Sequence, residues 1–263
     1  MTTPLRLMVF TDLDGTLLDH DTYSWAAAQP ALAALKNLSA AVVLASSKTA
    51  AEVGRLRAAL GVQNWPAIVE NGAGHLPPGV SSVQGGSRYA DLRQVLAGLP
   101  PDLSQNFRGF GDVTLAQLGE MTGLPPAAAQ MAQQRDFSEP GQWLGTAQQQ
   151  ADFLALLQAQ GVRAQQGGRF LTLSFGGNKV DQLRRIVQRY APQHTIALGD
   201  APNDVQMLEA TDFGVVVANP HRAPLAPLRG EAEGRIIRST APGPQGWNAA
   251  IIHLLDRLQL NKG

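Results

Sequence analysis

Two carboxylates stand two residues apart in Val9-Phe10-Thr11-Asp12-Leu13-Asp14-Gly15-Thr16-Leu17, directly after the apolar run Leu7–Phe10. On extended chain, residues i and i+2 point the same way, so Asp12 and Asp14 are expected to face one site. Carboxylates this close repel, and a bound hard cation is the simplest compensation. Mg2+ suits the position, since it takes oxygen ligands in an octahedron and retains waters that a phosphate can replace.

Positioning such a site takes a strand and a turn, and the rest of the chain supplies more of both. Leu7–Phe10, Ala41–Ala45, Ala67–Val69, Thr195–Leu198 and Gly214–Val217 are short apolar runs without in–out alternation. That pattern predicts strands of a parallel sheet covered on both faces. Helical stripes lie between them: Val53, Leu56 and Leu60; Val180, Leu183 and Val187; Ile251, Leu254, Leu255 and Leu258. Strands alternating with helices predict an α/β fold, a doubly wound and mainly parallel sheet whose carboxyl edge binds ligands.

From about Val83 to Gly176 the composition shifts to Gly, Gln and Pro, with Pro-Pro at 100–101 and 125–126. Amphipathic Phe153, Leu154 and Leu157 and the alternating run Phe170–Leu173 persist there. The expectation is a smaller α+β domain over 83–176, inserted into a core built from 1–82 and 177–263.

Composition removes whole classes of function. Cysteine is absent from the 263 residues, which excludes thiolate catalysis, zinc–thiolate sites and disulfide frameworks. With 21 basic against 21 acidic side chains, the chain lacks the surplus that nucleic-acid binding demands. No apolar stretch reaches the roughly 20 residues of a membrane span, so neither a membrane nor a nucleic acid is an expected partner, and the expected compartment is the cytoplasm. There is no G-x-x-x-x-G-K-[ST] phosphate loop and no G-x-S-x-G elbow, and the five histidines show no ligand spacing.

The string Asp12-Leu13-Asp14-Gly15-Thr16-Leu17 after an apolar strand resembles the first motif of the haloacid dehalogenase superfamily of phosphotransferases. The resemblance implies that Asp12 is a nucleophile and Asp14 a general acid/base, with an aspartyl-phosphate that water can open. It also implies three further pieces, each of which can be found. Ser46, after the run Val42–Ala45, matches the hydroxyl that donates to the phosphoryl group. Lys179, opening the stripe that begins at Val180, matches the cation that balances the phosphoryl charge. Leu198-Gly199-Asp200-Ala201-Pro202-Asn203-Asp204 is similar to the metal motif G-D-x-x-N-D. The family's Mg2+ would then be held by Asp12, Asp14 and Asp200, with Asn203 and Asp204 orienting waters or Lys179 from behind.

An insertion between the second and third motifs is similar to the Cof-like branch, sugar phosphatases with a large α/β cap. Ser46-Ser47-Lys48-Thr49, Glu70-Asn71-Gly72-Ala73, Arg135-Asp136-Phe137-Ser138-Glu139-Pro140 and Gly168-Arg169-Phe170-Leu171-Thr172-Leu173 look like the mannosyl-3-phosphoglycerate phosphatases. That resemblance implies a small phosphorylated sugar as partner. Lys48, Arg135 and Arg169 are expected at its phosphate or carboxylate, and Ser47, Asn71, Ser138 and Glu139 at the remaining substrate groups. Glucosyl-3-phosphoglycerate, sucrose phosphate, a phosphomutase reaction and a non-catalytic sugar-phosphate-binding regulator stand as alternatives.

Overall fold

Leu7 and Val9 face one side of the first strand and Met8 and Phe10 the other, and all four are fully buried. A strand apolar on both faces needs two covering layers, and the computed structural model supplies them. It describes residues 4–82, 87–167 and 169–260. Gly168 of the expected recognition string, and the segment 83–86 at the expected start of the insertion, lie outside the described residues.

In chain order the strands are β1 Leu7–Thr11, β2 Ala41–Leu44, β3 Ala67–Val69, β4 Gly74–Leu76, β5 Phe107–Gly109, β6 Ser138–Trp143, β7 Arg163–Gly167, β8 Phe170–Ser174, β9 His194–Gly199, β10 Phe213–Ala218 and β11 Ile236–Pro242. The α-helices are α1 Gln29–Asn37, α2 Ala50–Leu60, α3 Ser87–Ala97, α4 Pro101–Ser104, α5 Leu115–Thr122, α6 Pro126–Gln133, α7 Ala147–Ala159, α8 Lys179–Tyr190, α9 Val205–Glu209 and α10 Gly243–Arg257.

The main sheet has the order β11-β10-β9-β1-β2 and is parallel throughout. Residues from α1, α2 and α10 pack on one face, and Leu183 and Ile186 of α8 with Met207 and Leu208 of α9 on the other. This is the doubly wound α/β arrangement expected. Successive strands run outward from β1 to β2 on one side and from β9 to β11 on the other. The order therefore reverses between β1 and β9, where open α/β sheets form their ligand crevice.

One expected strand differs. β3 meets the main sheet through a single parallel bridge, Ala45 to Ile68, and forms its ladder antiparallel with β4. Its three apolar residues match a central strand in composition, but the turn at Glu70–Gly72 folds the chain straight back. β11 escaped prediction because its burial alternates, as an edge strand's does.

A separate four-stranded antiparallel sheet, β5-β6-β8-β7, lies between α2 and α8 in the chain and has its own apolar cluster. Leu92, Phe153, Leu157, Leu171 and Leu173 fill it. The Pro-Pro pairs begin helices here: Pro101 and Pro126 stand at the first positions of α4 and α6, where a missing N–H costs nothing. Gln-rich α7 starts from a Thr146–Gln149 capping box.

Candidate active site

Asp12 follows the last residue of β1, and its N–H donates to the Leu198 carbonyl of β9 (2.9 Å). Asp200 follows the last residue of β9, so the two acids flank the point where strand order reverses. Lys179, the first residue of α8, reaches between acids with its Nζ 2.6 Å from Asp12 Oδ1 and 2.7 Å from Asp204 Oδ1. Asn178 caps that helix by accepting from the Asp181 N–H (2.7 Å), which fixes the start of the turn carrying the lysine.

Burial drives the Asp12 carboxyl well above the usual carboxylate range. Lys179 pulls it down, while Asp204 and Asp200 push it further up. Burial works against the Lys179 ammonium, but Asp12 and Asp204 overcome it and raise its pKa. Asp200 is also raised, by burial first and by Asp204, against the hydrogen bonds of Asn219 and Thr16 and the charge of Arg222. Its oxygens accept from Thr16 Oγ1 (2.9 Å) and Asn219 Nδ2 (2.7 Å), and Arg222 Nε lies 3.2 Å away.

Asp12, Asp200 and Asp204 bring ligand oxygens within 4.8 Å of one another. Three buried carboxylates around one fully buried cation, with oxygen donors only, fit a hard divalent ion such as Mg2+. Asp204 is the most committed of the three: its Oδ2 accepts from the N–H groups of Asp200 and Ala201 (3.1 Å each) while Oδ1 holds Lys179. Asp200 and Asp12 are left to face an incoming ion.

Asp14 does not join this cluster. β1 ends at Thr11 and the chain turns through Gly15, whose φ is +79°, so the i, i+2 rule of extended chain no longer applies. Its Oδ2 pairs instead with Lys48 Nζ (3.0 Å), and its Oδ1 is buried without a partner. Gly15 is needed for space as well as for φ: a Cβ there would stand 2.6 Å from Asn219 Nδ2.

Ser46 is buried beside the end of β1, since the preceding Ala45 N–H donates to the Thr11 carbonyl (2.8 Å). Its Oγ accepts from the Lys48 N–H (3.2 Å). The Lys48 ammonium is penalised by burial, but Asp14 and Glu52 outweigh that and raise its pKa. Asn71, held at φ +57° in the turn after β3, accepts from Asn203 Nδ2 (3.1 Å), so Asn203 faces it and not Lys179.

Other expected substrate residues are engaged inside the protein. Arg135 lies 3.2 Å from Glu70, and weaker contacts at 3.4 Å join it to the Ser47 carbonyl. Ser138 donates to Glu70 Oε2 (2.6 Å) and accepts from Arg135 (2.7 Å). The Glu70 carboxylate also accepts from the Asp136 and Phe137 N–H groups. Glu70 is thus the acceptor that ties the segment before β6 to the turn after β3. Fully buried Glu139 accepts from Tyr89 (2.6 Å), Arg93 (3.0 Å) and the Gly111 N–H (3.1 Å). Exposed Arg169 donates to the Thr122 carbonyl (3.2 Å) and covers the Phe170 ring. Arg135, expected at the phosphate or carboxylate, and Ser138 and Glu139, expected at sugar hydroxyls, are thus partnered within the chain, as buried polar groups need to be.

Sequence reasoning passed over Thr16, Glu70, Asn219, Arg222 and Trp247. Thr16 and Glu70 lie inside strings that had drawn notice for other residues. Asn219 follows β10 at the same carboxyl edge as Asp12 and Asp200, a position that strand ends alone point to. Buried Trp247 of α10 donates to Thr11 Oγ1 (2.9 Å), which donates to the Asp12 carbonyl (2.7 Å). Among the described residues, no helix is long and apolar enough to cross a membrane.

The fold has many solved counterparts. A Thermoplasma acidophilum protein, 0175, is 16% identical with a TM-score of 0.65, over 95% of this chain and 98% of that one. BT1666 from Bacteroides thetaiotaomicron, described among phosphatases of the haloalkanoate superfamily, is 18% identical with a TM-score of 0.65, over 95% of each chain. The sucrose-phosphatase of Synechocystis sp. PCC6803, solved with sucrose and phosphate, is 15% identical with a TM-score of 0.60, over 95% of this chain and 98% of that one. These likenesses concern the fold. The family model of the haloacid dehalogenase-like hydrolases matches residues 9–74 and 148–225, more than half of the sequence, and both ends of that match carry the acids and the lysine gathered at the sheet edge. The chain belongs to the haloacid dehalogenase-like hydrolase family.

Proposed function

We propose that the enzyme is a phosphomonoesterase working through an aspartyl-phosphate on Asp12, with a sugar phosphate as substrate. The observation that carries this reading is the Asp12–Lys179–Asp204 arrangement, a buried carboxylate whose charge is balanced by a buried ammonium at the sheet's switch point. Asp12 attacks phosphorus, the bond from phosphorus to the ester oxygen of the leaving alcohol breaks, and Asp14 gives that oxygen its proton. Water then attacks the phosphoryl group, Asp14 takes the water's proton, and phosphate leaves as the Asp12 carboxylate is restored. The Asp14 oxygen without a partner is the atom suited to carry the proton. Ser46 donates to the phosphoryl oxygens, and Lys179, beside Asp12, balances the negative charge of the phosphoryl group that Asp12 takes up. Mg2+, bound by Asp12 and Asp200 with Asp204 and Asn203 behind them, would neutralise the phosphoryl group.

Residues 83–176 act in this reading as a cap over the site. The proposed substrate is mannosyl-3-phosphoglycerate, supported by the four sequence strings that resemble enzymes of that specificity. Lys48, beside Asp14, is then a second cation at the site after Lys179, with Ser47 and Asn71 at neighbouring strand ends and Arg169 on the cap. The solved sucrose-phosphatase keeps sucrose phosphate on the test panel. Phosphate release is to be measured with Mg2+ on mannosyl-3-phosphoglycerate, glucosyl-3-phosphoglycerate, sucrose phosphate and mannose phosphates. The highest kcat/KM is expected for the first, and Asp12→Asn should abolish turnover of all. Equal kcat/KM for it and for mannose phosphates refutes the substrate; activity retained in Asp12→Asn refutes the nucleophile.

A further inference from the structure

Two histidines that show no ligand spacing along the chain come together in space beside the active site. His20 and Asp21 lie in the loop after β1, and His221 in the loop after β10, both at the carboxyl edge of the main sheet. The two imidazoles stack with centroids 4.0 Å apart, and His221 Nε2 lies 3.9 Å from Asp21 Oδ2. One ligand atom from each of the three falls within 4.8 Å of the others.

Both loops are held by their own hydrogen bonds. Asp19 Oδ1 accepts from the N–H (2.9 Å) and the hydroxyl (2.7 Å) of Thr22, which fixes the turn carrying His20 and Asp21. The His221 N–H donates to Asn219 Oδ1 (2.9 Å), and Asn219 in turn donates to Asp200. His221 thus stands two hydrogen bonds from the acid edge.

The donor set differs in kind from that edge. Two imidazole nitrogens with one carboxylate suit Zn2+ and its neighbours in the first transition row, whereas Asp12, Asp200 and Asp204 offer oxygen alone. A tetrahedral Zn2+ with bonds of about 2.0–2.1 Å spaces its ligand atoms by roughly 3.4 Å. The three side chains are exposed, so a change of rotamer that turns the imidazoles out of their stack can aim their nitrogens at one ion without moving backbone. We infer that His20, Asp21 and His221 form a second metal site, specific for Zn2+-type ions, on the rim of the active site.

The site does not depend on which phosphate ester the enzyme hydrolyses. It is tested on the whole chain stripped of metal, with Zn2+ binding followed by competition against a chromophoric chelator. Saturating Mg2+ is present to fill the acid cluster. Wild type and Asp12→Asn should each bind one Zn2+. His20→Ala and His221→Ala should bind it at least tenfold more weakly, since loss of even an outer partner of a ligand costs about 10–100-fold. Zn2+ should raise the melting temperature of wild type by more than that of either histidine variant at the same concentration, and their metal-free melting should match wild type. Equal Zn2+ affinity in the histidine variants overturns the inference. So does a Zn2+ site that vanishes in Asp12→Asn, or the absence of Zn2+ binding in wild type.

Discussion

Lys179→Met keeps the aliphatic length of the side chain and removes the one fully buried ammonium among the described residues. That ammonium lies 2.6 Å from Asp12 and 2.7 Å from Asp204, in a residue only 2% exposed. Without it, acids whose oxygens fall within 4.8 Å face one another uncompensated. At an effective dielectric of about 20, each ionised pair at that distance repels by roughly 3.5 kcal/mol. Removing one partner from a buried charge pair costs about 3–5 kcal/mol, and the metal-free variant should lose stability in that range. Mg2+ should stabilise the variant more than wild type, because its cluster carries one more negative charge, so the difference narrows when the ion is added. Urea denaturation in EDTA and in millimolar Mg2+ measures both effects. A metal-free loss below about 1 kcal/mol, the worth of an exposed pair, would refute the reasoning about burial. A difference untouched by Mg2+ would show that the ion binds elsewhere.

Asp200 and Asp204 should fail differently. Asp204→Ala strips one of the two carboxylates from Lys179 and the acceptor from two N–H groups and should lower urea stability by about 3–5 kcal/mol, whereas Asp200→Ala should chiefly weaken Mg2+ binding in a calorimetric titration; equal profiles for the two contradict the division of labour. Glu70→Ala leaves Arg135 buried without its anion and should cost about 3–5 kcal/mol, with part recovered on adding Arg135→Met; no recovery means the pair is not coupled. The His75 imidazole is shifted below its ordinary value, by desolvation first and then by the charges of Arg185 and Arg189. The unfolded chain therefore binds this proton more readily, and His75 subtracts stability as pH falls below the unfolded value of about 6.5. A proton NMR titration should find its midpoint under that value, and Arg185→Gln should move it up; an unmoved midpoint removes the charge contribution.

The sequence made the chemistry of the core legible because strand ends are local. β1 and β9 are short apolar runs that stop at acids, and both the run and the acid survive into the structure with little change. What escaped was direction. Asp14 follows the end of β1, where a turn through Gly15 rotates its carboxylate toward Lys48, and spacing holds no record of that rotation. Arg135, Ser138 and Glu139 have side chains suited to a sugar acid, and the same side chains suit one another. Only three-dimensional packing shows that Glu70 and Tyr89 have already engaged them. Asn219 lay hidden for the opposite reason, being an unremarkable residue made important by β10 ending at the shared edge.

The place of β1 between β9 and β2 bears on how the chain is made. β2 leaves the ribosome soon after β1 and can cover one edge at once. The other edge pairs with β9, which begins at residue 194. At about 5–20 residues per second, roughly 10–40 s separate the emergence of the two strands. Throughout that interval the backbone groups of Leu7–Thr11 that belong to β9 stand unpaired beside apolar side chains, a template for pairing with a neighbouring nascent chain. Slower elongation between residues 45 and 194 lengthens that exposure, and faster elongation shortens it.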